Sequence, residues 1–389
     1  MHVIVLEPFP FSRKGGQPLS TLEVSKGLSE LGHTVSLIYF KHGDLLPEYR
    51  KFCHETIYIQ EGRLQSKKVF KSLAKILFQL IHASSRLKLR EKESLIYISD
   101  HQRSLFAVLL AFLKRSPAVI HLRTPATPLM TAHKQDRWPI SKINHFIAIS
   151  KSLKGNWCQH FQIPSENISV VPNGTDIERF KVHPSITLAK GELGINSECP
   201  TISYVGRLSP SKGISVLINA FNALLQSCDS EIKLLIAGLP SGFHTLREGK
   251  KYEDSIKQLV SDLKISEKVI FLGHLDEPLK LYQASDVTVL PSIYPEPFGR
   301  SIIESMACGV PVLASNIGGI PEILSGKFGE LLFEANNSED LAIKLEKTLN
   351  WRMENPTLGE QVREHVVNNF SSASTFTKVE ISLKRALKT

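Results

Sequence analysis

The stretch PSIYPEPFGRSIIESMACGVPVLASNIGGIPEI, Pro291 to Ile323, decides how the chain is read. It follows an apolar strand, Val287 to Leu290, breaks at Tyr294-Pro295-Glu296-Pro297, and resumes as a helical run over Ser301 to Ala307. Gly309 stands where a helix C-terminus needs a residue free to turn left-handed. A second strand, Val310 to Ala314, follows, and Gly318-Gly319 opens another helix at Pro321-Glu322. Alternation of this kind belongs to a parallel α/β sheet, with two helix N-termini pointing at one sheet edge.

That edge suits an anion. Backbone N–H groups at Gly299, Arg300 and Ser301 have no intrahelical partner and lie at the positive end of a helix dipole. Glu304 falls one turn into the helix and Glu296 just before it. Their carboxylates therefore flank a ligand with hydroxyls at two separated points around an anionic group.

Glu296-Pro-Phe298-Gly299, with Glu304 farther along the same helix, resembles the paired-glutamate motif of the retaining GT-B glycosyltransferases of family 4. The resemblance implies that Glu296 approaches the donor sugar and Glu304 binds the nucleotide ribose. The segment Phe298, Gly299, Arg300, Ser301 and Ile303 then lines the diphosphate. Arg300 and Ser301 depart from the family, which commonly has apolar residues there, so Arg300 either adds a cation near the diphosphate or points outward. The plain alternative is a solvated helix start with two surface acids.

A chain of 389 residues is long for one core and fits two domains. With 42% hydrophobic and 22% charged residues it is globular rather than disordered. Its five cysteines are scattered, with no C-x-x-C pair, which points to reduced thiols and away from a zinc site. Met1 to Leu6 lacks a basic leader and reads as a first strand. No apolar run approaches the ~20 residues that cross a bilayer, so the expectation is a cytoplasmic protein. A net charge of +9 favours anionic partners. Nucleic acid is not expected, because the cations lack interleaved aromatics on a stacking face.

The first half opens with strand Val3 to Leu6, a Pro/Gly-rich loop, a helix from Leu19 to Leu31 closed by Gly32, and strand Thr34 to Tyr39. Gly15-Gly16 sits at the strand-to-helix turn where a Rossmann-like unit holds its ligand. The family resemblance implies that Gly16 faces the donor phosphates. Residues 63–92 interleave lysines and arginines with apolar residues at helical spacing. They form either a core-packed helix with a basic face or a peripheral contact with anionic membrane. Asp100-His101 falls at another ligand-edge turn. His121 ends a strand in Val-Ile-His-Leu-Arg-Thr and matches a histidine that lies near the reacting sugar in the family. Pro172-Asn173-Gly174-Thr175-Asp176 resembles the Asn-Gly-Val-Asp signature that closes the first domain, with Thr for Val.

Lys181 to Pro200, rich in Pro and Gly, reads as a linker. After strand Thr201 to Val205 comes Gly206-Arg207-Leu-Ser-Pro-Ser-Lys212-Gly213, a strand-to-helix turn with two cations. Arg as a fork and Lys as a point charge balance a diphosphate without a metal, the role the resemblance implies for them. It also implies that Gly273 to Leu275 passes beside the nucleotide base. No Asp-x-Asp and no His/Cys cluster of ligand spacing is present, so neither metal nor cofactor is expected. The last helix, from Ser371, is expected to return to the first domain.

These readings converge on an α/β protein of GT-B fold, two Rossmann-like domains facing a central cleft. Residues 1–184 bind acceptor, residues 185–370 bind nucleotide sugar, and residues 371–389 cross back. The expected chemistry is retaining, metal-independent transfer of a hexose, glucose first, from a UDP-sugar to a saccharide or lipid-linked acceptor in surface polysaccharide assembly. Glu296, His121, Arg207 and Lys212 are the expected catalytic residues. Donor contacts fall on Gly16, Arg207, Lys212, Gly273, Leu275, Glu296, Phe298, Gly299, Arg300, Ser301, Ile303 and Glu304. The alternatives are a sugar-nucleotide epimerase of the same fold and a non-catalytic nucleotide-sugar binder.

Overall fold

The computed structural model describes residues 1–12, 16–60, 69–99, 101–131, 134–228, 231–240 and 246–388, with the side chains of 69–75, 134–136 and 246 excepted. The chain forms two compact units, Met1–Asn173 with Ala373–Thr389, and Gly174–Ser372.

The first unit runs β1 (His2–Leu6), α1 (Gly16–Glu30), β2 (Thr34–Tyr39), α2 (Leu46–Phe52), β3 (Glu55–Tyr58), α3 (Val69–Arg86), β4 (Ser94–Ile98), α4 (Ser104–Lys114), β5 (Ala118–Leu122), α5 (Pro128–Thr131), α6 (Lys134–Ile140), β6 (His145–Ala148), α7 (Lys151–Phe161) and β7 (Ile168–Val170). All strand pairs are parallel, in the order β3-β2-β1-β4-β5-β6-β7. The order reverses between β1 and β4, the switch point at which a doubly wound sheet opens to a ligand beyond its strand C-termini. Strands β1, β4 and β5 are buried on both faces, which is why they read as continuous apolar runs.

The second unit runs α8 (Ile186–Glu192), β8 (Thr201–Val205), α9 (Ile214–Ser227), β9 (Lys233–Ala237), α10 (Leu246–Asp262), β10 (Val269–Gly273), α11 (Leu279–Gln283), β11 (Val287–Leu290), α12 (Arg300–Ala307), β12 (Val312–Ser315), α13 (Ile320–Ile323), β13 (Leu332–Phe333), α14 (Ser338–Leu349), α15 (Trp351–Glu354) and α16 (Leu358–Phe370). Its parallel order is β10-β9-β8-β11-β12-β13, with the switch between β8 and β11. The two loops the sequence singles out, 206–213 and 291–299, leave the sheet at that switch.

A last helix, α17 (Ser372–Ala386), belongs from Ala373 onward to the first unit. Val379, Leu383 and Ala386 join Val24 and Leu28 of α1 in the core over that unit's sheet. His33 and Lys384 both reach Glu380, at 2.8 and 2.6 Å.

Two boundaries differ from the sequence reading. The units meet at Asn173/Gly174 rather than at 184/185. Lys181 to Pro200 is not a free linker, since it contains α8, whose Lys190 is buried and donates to Asp286 at 2.8 Å. Asp286 also accepts from Thr201 N and pairs with Arg352, so the segment is fastened to the start of β8. Pro and Gly content masked the helix start at Ser185, whose hydroxyl caps Leu188 N.

Candidate active site

In the second unit, loop 206–213 and loop 291–299 are tied together by Ile293 N donating to Ser211 O at 3.0 Å. Tyr204, fully buried at the end of β8, donates its hydroxyl to Arg207 O at 2.8 Å and so fixes the backbone from which Arg207 projects. Burial, and then the Glu296 carboxylate, push that phenol well above its ordinary pKa, so it stays a donor. The Arg207 side chain itself is exposed and has no hydrogen-bond or ion-pair partner among the described residues.

Lys212 ends the short turn Pro210–Lys212 and forms an ion pair with Glu296. Ser292 donates to the same carboxylate oxygen at 3.2 Å. Both partners keep part of their surface open, 14% for Lys212 and 18% for Glu296, so each remains reachable by a ligand. The Glu296 backbone is held from behind. Gly319 N donates to Glu296 O at 2.7 Å, and a Cβ at Gly318, whose φ is +64°, would lie 2.3 Å from the same oxygen. The glycine pair therefore lets α13 approach the Glu296 loop as closely as it does.

Gly299 is the N-cap of α12, and no side chain caps that end or places an acid in its first turn. The helix thus offers uncapped amides at its positive end. Glu304, one turn on, accepts from Tyr282 Oη at 3.0 Å and pairs with Arg300 Nε at 3.3 Å. Arg300 is thus paired along its own helix with Glu304. Burial, and next Glu304, raise the Tyr282 phenol well above its usual value.

Phe298 and Ile303 are both buried, Phe298 edge-on to Phe370 at 5.9 Å. Their side chains belong to the core, so a donor contact at either residue falls to its backbone. Leu275 is half-buried in an apolar cluster with Leu235, Ala237 and Leu281. Gly273 is exposed, and its carbonyl accepts from Gly238 N at 2.7 Å.

In the first unit His121 sits at the end of β5, 1% exposed. Its Nδ1 lies 2.5 Å from Tyr97 Oη and 3.2 Å from Arg123 Nη2. An arginine nitrogen only donates, so Nδ1 is the acceptor and the ring is the neutral tautomer protonated on Nε2. Burial, and then Arg123, hold the imidazole pKa well below its ordinary value, consistent with that neutral form. Nε2 itself is buried without a partner. His121 is thus built as a hydrogen-bond donor rather than as a base. Gly16 is the exposed first residue of α1; Gly15, Asp100 and 61–68 lie outside the described residues, and with them part of the basic segment.

The sequence reading missed Tyr97, Arg123, Tyr282 and Ser292. Arg123 carried a signal, being a cation two residues after a strand-end His and hence on the same face. Among the described residues no group of three or more His, Cys, Asp or Glu side chains is placed to hold a metal.

Comparison with known proteins agrees with this geometry. The profile of Glycosyl transferases group 1 matches residues 185–365, and that of Glycosyltransferase Family 4 matches residues 14–179. An uncharacterized glycosyltransferase of Methanocaldococcus jannaschii is 28% identical over 371 residues, 91% of this chain and 88% of that protein. A D-inositol 3-phosphate glycosyltransferase of Rhodococcus jostii is 29% identical over 233 residues, 59% of this chain and only 50% of the relative. The crystal structure of Anabaena HepE in complex with UDP-glucose superposes with a TM-score of 0.80 at 22% identity, covering 99% of this chain and all of the other.

Proposed function

The chain belongs to the group 1 glycosyl transferases of GT-B fold, and from that premise we propose that it moves a hexose from a UDP-sugar to a saccharide or lipid-linked acceptor, with retention at the anomeric carbon. The observation that carries this reading is the meeting of Arg207, the Lys212–Glu296 pair and the uncapped start of α12 at one switch point. Two cations and a helix N-terminus suit a diphosphate leaving group without a metal. Anabaena HepE, crystallised with UDP-glucose, makes that sugar nucleotide the first donor to try.

In this mechanism the diphosphate–sugar bond lengthens while Arg207, Lys212 and the α12 amides take up charge on the departing oxygens. Preorganised donors of this kind supply the largest share of acceleration in such sites. Lys212 arrives already desolvated and fixed by Glu296, so little reorganisation accompanies bond breaking. Glu296 positions the sugar and steadies positive charge at its anomeric carbon. The acceptor hydroxyl attacks from the face the diphosphate leaves and passes its proton to the departing diphosphate oxygen, so the C–O bond to the acceptor replaces the one to phosphate with retention. Glu304, its other contacts set by Tyr282 and Arg300, takes the ribose hydroxyls. His121 donates Nε2–H to an oxygen of donor or acceptor.

The same reading places the protein in surface polysaccharide assembly at the cytoplasmic face of an anionic membrane. No described helix is long and apolar enough to cross a membrane. Instead α3, which packs against α4, exposes Leu77, Phe78 and Ile81, and α4 exposes Phe112 and Leu113. Arg86, Lys88, Arg90, Lys92 and Arg115 are exposed alongside. An apolar patch with a cationic rim suits peripheral binding to anionic lipid. Co-sedimentation that did not respond to anionic lipid content would remove this part.

The central test is NMR of products from UDP-glucose with an oligosaccharide panel and EDTA. An α-linked product with chelator present is expected. Loss of activity with EDTA, or a β-linked product, would refute the mechanism. Conversion of donor without acceptor would instead indicate epimerisation, and saturable binding without any turnover a binding protein.

A further inference from the structure

Arg123, 7% exposed, is a buried cation whose Nε and Nη1 have no hydrogen-bond partner. Its third nitrogen, Nη2, is spent on His121 Nδ1 and, at 3.5 Å, on Tyr97 Oη. A guanidinium does not lose its proton in proteins, so burial leaves a full positive charge in place. Breaking or omitting the partner of a buried charge is among the more costly arrangements in a protein. His121 Nε2–H, on the same strand face, is a second buried donor without an acceptor. Glu7, the buried carboxylate just past the end of β1, accepts from Ser99 Oγ at 2.7 Å and from Phe9 N at 3.2 Å.

The first turn of α1 lies against the same edge. Gln17 Nε2 donates to Ser99 O at 2.8 Å, just past the end of β4, and Tyr97 of that strand bonds His121. The helix has fifteen residues and no acid in its first turn. Buried donors without partners and a permanent cation at the end of β5 thus lie one strand away from β4, whose end holds the start of α1, and each of these features calls for an anion.

We propose that Arg123, with His121 Nε2–H and the start of α1, forms an oxyanion site that selects an acceptor bearing a phosphate or carboxylate group. This rests on the glycosyl-transfer reading and adds to it the charge class of the acceptor. Arg123 would hold the anionic group, so that the attacking hydroxyl is presented in a fixed pose.

The test uses the full chain labelled with 15N-histidine and saturated with UDP, so that the donor phosphate site is filled. Inorganic phosphate and, separately, malate are titrated while the His121 Nε2–H resonance, assigned by its loss in His121→Gln, is followed. A saturable shift is expected with at least one of them. A response to phosphate alone assigns a phosphoryl-bearing acceptor, and one to malate alone a carboxylate. Arg123→Met should weaken the response roughly tenfold or more with UDP affinity unchanged. Arg123→Lys, which keeps the charge, should fall between. A His121 resonance unmoved by either anion in the native protein, which needs no variant, overturns the site. So does equal anion affinity in Arg123→Met that still binds UDP. Failure of UDP binding would sink the donor reading separately and leave the anion titrations readable.

Discussion

Lys212 and Glu296, 84 residues apart in sequence, form an ion pair at the end of the second sheet, with Ser292 donating to the same carboxylate oxygen. The pair couples the group proposed to take phosphate charge to the group proposed to position the sugar. Lys212→Ala should lower kcat on the order of 10²-fold, as removal of one preorganised donor does elsewhere, and leave UDP affinity less affected. Glu296→Gln added to it should cost less than the product of the two single losses, because contacting residues are non-additive. Strict multiplicativity in a kinetic double-mutant cycle would show that the contact has no role in turnover.

The Arg207 side chain is exposed and has no hydrogen-bond or ion-pair partner among the described residues. Its removal should therefore be felt in catalysis rather than in stability. Arg207→Ala should reduce kcat/KM by about 10²-fold or more at an unchanged melting temperature. Equal activity of the two proteins would remove Arg207 from the leaving-group site.

Glu304 answers to Tyr282 and Arg300 on its two oxygens. Glu304→Ala should weaken UDP binding roughly tenfold or more, the worth of a hydrogen bond to a charged group. Calorimetry with UDP and with a 2′,3′-dideoxyribose analogue separates the cause. The variant should no longer distinguish the two ligands, whereas the native protein should.

Gly318 and Gly326 have nearly the same backbone, φ +64° and +62°, and different surroundings. A Cβ at Gly326 meets nothing within 4 Å, whereas one at Gly318 drives into the Glu296 backbone. Gly326→Ala should cost about 1–2 kcal/mol of stability for its left-handed conformation alone and keep full activity. Gly318→Ala should cost about 2 kcal/mol or more and also lose activity as the Glu296 loop shifts. Equal kcat in the two variants would show that the glycine pair does not position Glu296.

His121 is neutral and buried, with a folded-state pKa well below its free value near 6.5. As pH falls through 6.5 the unfolded chain takes up the proton first, so stability present above that pH is lost toward the folded-state pKa. Between pH 7 and 5.5 the native protein should lose about 1 kcal/mol more than His121→Asn, measured by urea denaturation. A pH-independent difference between them would mean that the folded imidazole takes up its proton as readily as the unfolded one.

The sequence carried the elements better than their pairings. Val287 to Leu290 and Ser301 to Ala307 were legible because an apolar run between turn residues and a helical run stopped by a glycine are local signals. Arg207 and Lys212 were legible because they sit on a strand-to-helix turn. What Lys212 touches was not, since its partner lies in another loop. Gly318 read as a helix opener, and its contact with Glu296 O appears only when β11 and β12 lie side by side. Arg123 was not singled out, because burial is a property of the packed sheet rather than of the segment.

Because α17 supplies Val379, Leu383 and Ala386 to the core over β1, β2 and β4, the domain that begins first finishes last. On the ribosome the continuous stretch Gly174–Ser372 has all its strands available while the earlier sheet still waits, with one apolar face only partly covered by α1 and α2, for α17 to emerge. Synthesis order and assembly order are thereby reversed, and a stop codon shortly after Phe370 would strand the opening domain unfinished while sparing the strands of its successor.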